Sequence, residues 1–281
     1  MTVVSPPIPG RWYLWAALAL AAVLLSPPGD ALAKGHATQN QNAPAEASSA
    51  VRPILVELFT SEGCSSCPPA DALLEKLDGF QPTDDTQLVV LSEHVDYWDH
   101  DGWKDPNSSS ELTERQADYV RNLGLKTAYT PQLIVDGSHE IEANDVQHLD
   151  KVLQDAGSAP KIPVRISDVS LAGGNPSLLQ THVQVESSSE QRNSEVYVAI
   201  ALNHVESQVL RGENKDRHLS HVAVVVELKK IGKLQKGKNL DETVQLKLKP
   251  GTDPKNVRVV AFVQEAGLGK VLGAAVRRPT I

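Results

Sequence analysis

Cysteine is almost absent: the 281 residues hold two, Cys64 and Cys67. That scarcity excludes a scaffold stapled by several disulfides. Basic clusters are absent too. Lys and Arg number 27 against 35 Asp and Glu, a net charge of −8, which argues against a nucleic-acid partner. There is no internal repeat, and no apolar run reaches the ~20 residues of a membrane span. Aromatic residues make up 4%, and two of the four tryptophans, Trp12 and Trp15, lie in an N-terminal apolar run, leaving Trp98 and Trp103 beyond it.

What is present begins with that run. Arg11 precedes Trp12 to Leu25, followed by Ser26-Pro27-Pro28-Gly29-Asp30 and Ala31-Leu32-Ala33. A positive residue, a short apolar core and an A-x-A ending read as a secretory signal peptide over 1–33, against the competing reading of a retained anchor. No cysteine follows the run, so a lipid anchor is not expected. Cleavage after Ala33 would release the chain into the periplasm or the medium, where disulfides persist. Residues 34–50, rich in Ala, Gln, Asn and Ser, read as a flexible linker.

From 51 to 157 strand and helix patterns alternate. Ile54–Phe59 and Leu88–Leu91 are short apolar runs of the kind buried strands show. Ala70, Leu73, Leu74 and Leu77 line one face of a helix that Gly79 ends. Ser108 and Glu111 propose a capping box for a helix ending at Gly124. Gln132–Val135 and His139–Glu142 flank the hairpin turn Asp136-Gly137. Asn144 proposes the cap of a last helix carrying Val146, Leu149, Leu153 and Ala156 inward. From 160 to 281 seven β-rich runs separated by turn signals predict a sandwich. Thr181, Val183 and Val185 alternate with polar neighbours there, as do Val244, Leu246 and Leu248.

The order β-α-β-α-β-β-α puts Cys64-Ser65-Ser66-Cys67 between the first strand and the first helix, and Thr130-Pro131 at the start of the third strand. Those landmarks resemble a thioredoxin-like domain. Val56 to Asp71, His94-Val95-Asp96-Tyr97-Trp98-Asp99, Gly102-Trp103-Lys104-Asp105, Tyr129-Thr130-Pro131-Gln132 and Arg211-Gly212-Glu213-Asn214 further resemble a secreted thioredoxin-like family, domain of unknown function 1223. Glu93 departs from its pattern, standing where an aromatic residue is common. The expected fold is therefore an α/β thioredoxin-like domain followed by an all-β sandwich-like domain.

The two cysteines sit where a crosslink stabilises least, because two intervening residues close almost no chain. Thiol–disulfide exchange needs a thiolate and a second thiol to resolve the mixed disulfide. Cys64 is the expected nucleophile and Cys67 the resolver, with Cys64 favoured if Ser65-Ser66 opens the helix. Ser65 and Ser66 can donate to the sulfur, whereas Glu62 disfavours a thiolate. A stable, non-exchanging disulfide is the competing reading. Thr130 and Pro131 are expected to position a partner chain, the resemblance implying a cis Pro131. Glu57 is a candidate proton relay to Cys67 or else a strand carboxylate facing solvent.

His94, Asp96, Asp99, His100 and Asp101 form a polar cluster that reads as an ordered loop beside the site, with Trp98 and Trp103 either walling it or packing the loop. Arg211, Glu213, Arg217, His218 and His221 read as a charged turn or an interface loop. The favoured reading is a secreted or periplasmic oxidoreductase acting on protein thiols or disulfides, with no cofactor and no resident metal. Two alternatives stand beside it. One is a copper- or zinc-handling module using Cys64, Cys67 and His94. The other is a non-catalytic module that binds an envelope partner.

Overall fold

The computed structural model describes residues 51–80, 86–175, 177–190 and 192–280. The signal-peptide and linker readings, 1–33 and 34–50, lie outside the described residues. Strand β1 (Arg52–Thr60) leads to α1 (Pro68–Gly79), β2 (Thr86–His94), α2 (Ser110–Asn122), β3 (Gln132–Val135), β4 (His139–Glu142) and α3 (Val146–Ser158). Then come β5 (Val164–Leu171), β6 (Leu178–Val185), β7 (Ser194–Gln208), β8 (His218–Leu234), β9 (Leu240–Lys247), β10 (Val257–Glu265) and β11 (Val271–Arg277).

Local chemistry explains the helix starts. Pro68 and Pro69 open α1, where a missing N–H costs nothing. Ser109 caps α2 by accepting from the Glu111 N–H, one residue later than the Ser108 box predicts. Asp145 rather than Asn144 caps α3, accepting from the His148 N–H. That start turns Val146 outward, while Leu149, Val152, Leu153 and Ala156 face the core.

The expectation of a thioredoxin-like α/β domain followed by a separate sandwich is overturned. The described chain is mostly strand, with three α-helices, and one mixed eight-stranded sheet runs β11-β10-β7-β8-β2-β1-β3-β4. It therefore takes strands from both sides of the boundary at 157–160. The joint is a parallel bridge between Ser92 of β2 and Val224 of β8. A second sheet, β5-β6-β9, covers part of the first.

Length and burial explain the merger. Strands β7 and β8 span 15 and 17 residues and pair along nearly their whole length, further than a compact sandwich strand needs. At His221–Val225 every β8 residue is buried, the mark of a strand covered on both faces. Val222, Ala223 and Val225 pack in one core with Ile54, Leu58 and Leu74 from the first half. Ala223 takes a left-handed φ of 51° beside Val224, where β8 reaches β2, and the β7–β8 register shifts nearby, between Ile200 and Ala201. A second core, including Leu179, Val183, Val198, Leu246 and Val259, fills the space between the two sheets.

Residues alternate across the sheet, and this sorts its polar groups onto two faces. On β1, Glu57 and Phe59 face α2, where Phe59 packs with Tyr119 and Ile134. Thr60, one residue further on, faces α1 and bonds Asp71. Thr60 pairs with His94 and Phe59 with Glu93, so His94 and Glu93 point to opposite faces of β2.

Candidate functional site

Cys64 and Cys67 are joined by a disulfide in the turn between β1 and α1, with Cα atoms 5.5 Å apart. The Cys64 N–H donates to the Ser61 carbonyl and the Cys67 N–H to the Cys64 carbonyl. The helix begins at Pro68, so Cys67 is its N-cap and Cys64 lies a turn ahead. The first two helical residues are prolines, and the Ala70 and Asp71 N–H groups both donate to the Cys67 carbonyl. This helix end therefore presents no free N–H to a sulfur, and thiolate stabilisation falls to the dipole and to Ser66. Ser66 Oγ stands 3.3 Å from Cys64 Sγ, and the Thr130 carbonyl 3.9 Å from it. Both cysteines are wholly buried, while Ser65 and Ser66 are exposed above them.

The Thr130–Pro131 peptide is cis. Trp98 Nε1 donates to Thr130 Oγ1 at 2.8 Å and so ties the loop after β2 to this segment. Beside it runs a cleft of about 400 Å³ lined by Ser66, Pro69, Tyr129, Pro131, Glu142 and Asn144. The structure thus brings together Cys64, Cys67, Thr130, Pro131 and Trp98. It does not bring Asp96 to them: Asp96 accepts from Thr113 Oγ1 at 2.6 Å and fastens the loop to α2. Nor does it bring Glu57, whose carboxylate accepts from Arg115 Nε at 2.9 Å and from the Tyr119 hydroxyl at 2.6 Å on the other face of the sheet.

The carboxylate next to the disulfide is Glu62. It is fully buried, and Oε2 accepts from Trp103 Nε1 at 2.7 Å and from Ser207 Oγ at 3.0 Å. Burial raises its pKa, and the charge of Asp105 raises it further. Asp105 Oδ2 accepts from the Glu62 N–H at 2.8 Å and lies 2.7 Å from His94 Nδ1. Burial works to raise the Asp105 pKa, but the His94 charge and hydrogen bond outweigh it and bring it down to about 2. Asp105 is thus an ionised acceptor for the His94 Nδ1 proton, and His94 Nε2 has no hydrogen-bond partner. His221 of β8 packs edge-on against His94, with ring centroids 4.8 Å apart.

The loop between β7 and β8 completes the site. Asn214, fully buried, donates from Nδ2 to the carbonyls of Glu62 and Cys64 at 2.9 and 2.8 Å. Glu213 accepts from the Ser65 N–H. Gly212 has a φ of +74°, and an added side-chain carbon would sit only 3.1–3.4 Å from the Asp101 carbonyl and Trp103, so backbone strain and crowding both favour glycine there. Sequence reasoning did not pick Ser207, and it noted Asn214 only within the Arg211–Asn214 motif and His221 only within a charged turn or interface loop. One signal was legible: His221 opens an unbroken apolar run to Val226, and a run buried on both faces takes its first residue inward as well.

Together these features define a mostly β protein in which one hairpin loop clasps a buried two-residue-spaced disulfide over a polar cluster. The chain belongs to the family described as protein of unknown function DUF1223, whose model matches residues 55–264. It is similar to the crystal structure of protein AGR_C_4864 from Agrobacterium tumefaciens. The two share 29% identity at a TM-score of 0.62, over 81% of this chain and 94% of that one. HBP35 of Porphyromonas gingivalis is similar in fold at 14% identity and a TM-score of 0.60, covering 82% of this chain and 76% of that one. No curated protein matches.

Proposed function

We propose that this protein is a thiol–disulfide oxidoreductase acting on protein thiols or disulfides in the periplasm or outside the cell. The observation that carries the reading is the Cys64–Cys67 disulfide beside an open cleft, roofed by the exposed Ser65 and Ser66. The thioredoxin-like resemblance is one of local chemistry: a strand, a C-x-x-C turn, a helix start and a facing Thr-Pro.

In the reducing direction for the protein, a partner thiolate attacks one sulfur, a mixed disulfide forms, and the other sulfur leaves as a thiolate that takes up a proton. The partner's second thiol loses its proton and attacks the mixed bond. The partner ends as a disulfide and Cys64 and Cys67 as two thiols, a transfer of two electrons. In the opposite direction Cys64 attacks a partner disulfide and Cys67 resolves the mixed bond. Ser66 Oγ is placed to donate to a Cys64 thiolate, and Tyr129, Pro131 and Glu142 offer a partner segment a wall and a negative rim. Full burial of both sulfurs requires the Gly63–Cys67 turn to swing outward before attack.

The test is a redox-buffer titration of the Cys64–Cys67 pair with thiol trapping. A potential between about −120 and −270 mV supports an exchange-active pair, and one below about −300 mV marks a structural disulfide and overturns the reading.

A further inference from the structure

Five ionisable side chains are packed out of solvent behind the disulfide, and three are acids: Glu62, Asp71 and Asp105, against His94 and His221. Even with both imidazoles charged, the acids outnumber the bases. Such a surplus of buried carboxyl groups is relieved either by protonation or by a compensating cation.

The bonding of these side chains has a pattern. Glu62 is held through Oε2 by Trp103 and Ser207, leaving Oε1 with no hydrogen-bond partner. His94 is held through Nδ1 by Asp105, leaving Nε2 with none. Asp71 is held through Oδ1 by Thr60 and lies 3.6 Å from His221 Nδ1, an ion-pair distance. His221 Nε2 is left 3.9 Å from the free Glu62 Oε1, without a hydrogen bond. Each histidine thus has an aspartate on its Nδ1 side, bonded at His94 and still short of a hydrogen bond at His221, and a buried Nε2 without a partner. At His94 this is the carboxylate–histidine arrangement that orients metal-binding imidazoles, and at His221 the same pair stands 3.6 Å apart.

We propose that His94 Nε2, His221 Nε2 and Glu62 Oε1 bind a divalent zinc-class ion, with Asp105 holding the His94 imidazole and Asp71 closing onto His221 Nδ1 when the ion binds. Two imidazoles and a carboxylate are a donor set for zinc, with one coordination position left over. Ligand atoms ~2.0–2.1 Å from a tetrahedral ion lie about 3.4 Å from one another. The His221–Glu62 separation therefore has to close by about 0.5 Å. Among the described residues no three such groups stand at ligating positions as they are, so binding has to draw these side chains together. The ligands come from the end of β1, the end of β2 and the start of β8, so the ion would pin the joint between the two halves of the large sheet.

The proposal does not rest on thiol exchange, and the experiment separates the two. The full chain, stripped with a chelator and kept oxidised, is titrated with zinc chloride by calorimetry. One zinc per chain is expected. His221→Gln and Glu62→Gln should each weaken binding at least tenfold, and Asp105→Asn by about 10–100-fold. A Cys64→Ser/Cys67→Ser double variant should keep it. Absence of saturable zinc binding to the wild-type chain overturns the site. So does binding that the double cysteine variant loses and His221→Gln keeps, which assigns the metal to the dithiol. Where His221→Gln does not fold, the cobalt(II) spectrum of the oxidised wild-type chain decides. Tetrahedral absorption without a thiolate charge-transfer band supports the site, and a thiolate band or no cobalt absorption overturns it.

Discussion

Asn214 donates its side-chain amide to the carbonyl oxygen of Cys64, 150 positions earlier, at 2.8 Å. The same nitrogen reaches the Glu62 carbonyl at 2.9 Å. One buried amide therefore holds the backbone of the cysteine turn at two carbonyls, and the same hairpin loop packs Gly212 against the Gly102-Trp103 loop. Removing it strips two buried carbonyls of a donor, at a cost of about 1–3 kcal/mol. Asn214→Ala is expected to lower the unfolding free energy by that amount, seen as a lower denaturant midpoint with an unchanged slope. It should also speed dithiothreitol reduction of the disulfide, because the turn is freed to swing outward. An unchanged reduction rate in a folded variant would mean that the amide does not restrain the turn.

Glu93 is wholly buried, and neither of its oxygens has a hydrogen-bond partner. Burial raises its pKa well above 4.5, the Glu57 charge raises it further, and Arg115 at 3.6 Å only partly offsets them. Glu57, Arg115 and the Tyr119 hydroxyl are the ionisable groups that act on it. A carboxyl that holds its proton more tightly folded than unfolded contributes stability below pH 4.5, and that contribution is lost as pH rises through the raised folded value. Glu93→Gln keeps the shape and removes the titration. Its unfolding free energy should match the wild type near pH 4 and exceed it increasingly toward pH 8. An equal gap at both ends of a pH series of urea curves would refute this account.

These residues also mark what was legible in the sequence. Thr181, Val183, Val185 and Val244, Leu246, Leu248 alternate cleanly, and both strands are found with those side chains inward. The Asp136-Gly137 hairpin and the helix carrying Leu74 and Leu77 were equally plain, because local chemistry fixes them. The joining of the two halves was not. It rests on one parallel bridge, Ser92 to Val224, and long-range strand pairing leaves no periodic mark on either strand. The site divided the same way. Cys64, Cys67 and Pro131 announce themselves by type and spacing. Asn214 and His221 reach the cysteine turn only because β7 and β8 enter the same sheet as β1. Glu57 was misplaced for the opposite reason: one residue of alternation puts it on the α2 face, bound to Arg115, rather than on the face of Thr60 and Asp71.

Gly273 on β11 sits where a methyl group would fall on the carbonyl of Ile162. That carbonyl belongs to the chain entering β5, whose Ile162 N–H donates to the Leu272 carbonyl at 2.7 Å. Backbone on both sides leaves nothing to rotate aside. Gly273→Ala is expected to destabilise the protein by about 1–3 kcal/mol, the usual penalty of overpacking. Hydrogen exchange should quicken first at the Ile162 amide. Gly79→Ala is the control, since nothing lies near its added methyl, and it should leave the unfolding free energy within about 0.5 kcal/mol of the wild type.

Arg115 joins α2 to β1 and β10 on the face of the sheet away from the disulfide. Its Nη2 donates to Glu57 Oε1 at 2.5 Å and to Gln264 Oε1 at 3.2 Å, and its guanidinium carbon lies 5.0 Å from the Tyr119 ring centre and 5.4 Å from that of Phe262. Arg115→Met fills the space but leaves the Glu57 carboxylate buried with only the Tyr119 hydroxyl. The expected loss is about 3–5 kcal/mol, the cost of an orphaned buried charge. Adding Glu57→Gln removes that charge, so the double variant should recover much of the loss, and a double-mutant cycle gives the coupling. If the pair is structural, the reduction potential of Cys64–Cys67 should stay unchanged in the double variant. A shifted potential would return Glu57 to the chemistry of the dithiol.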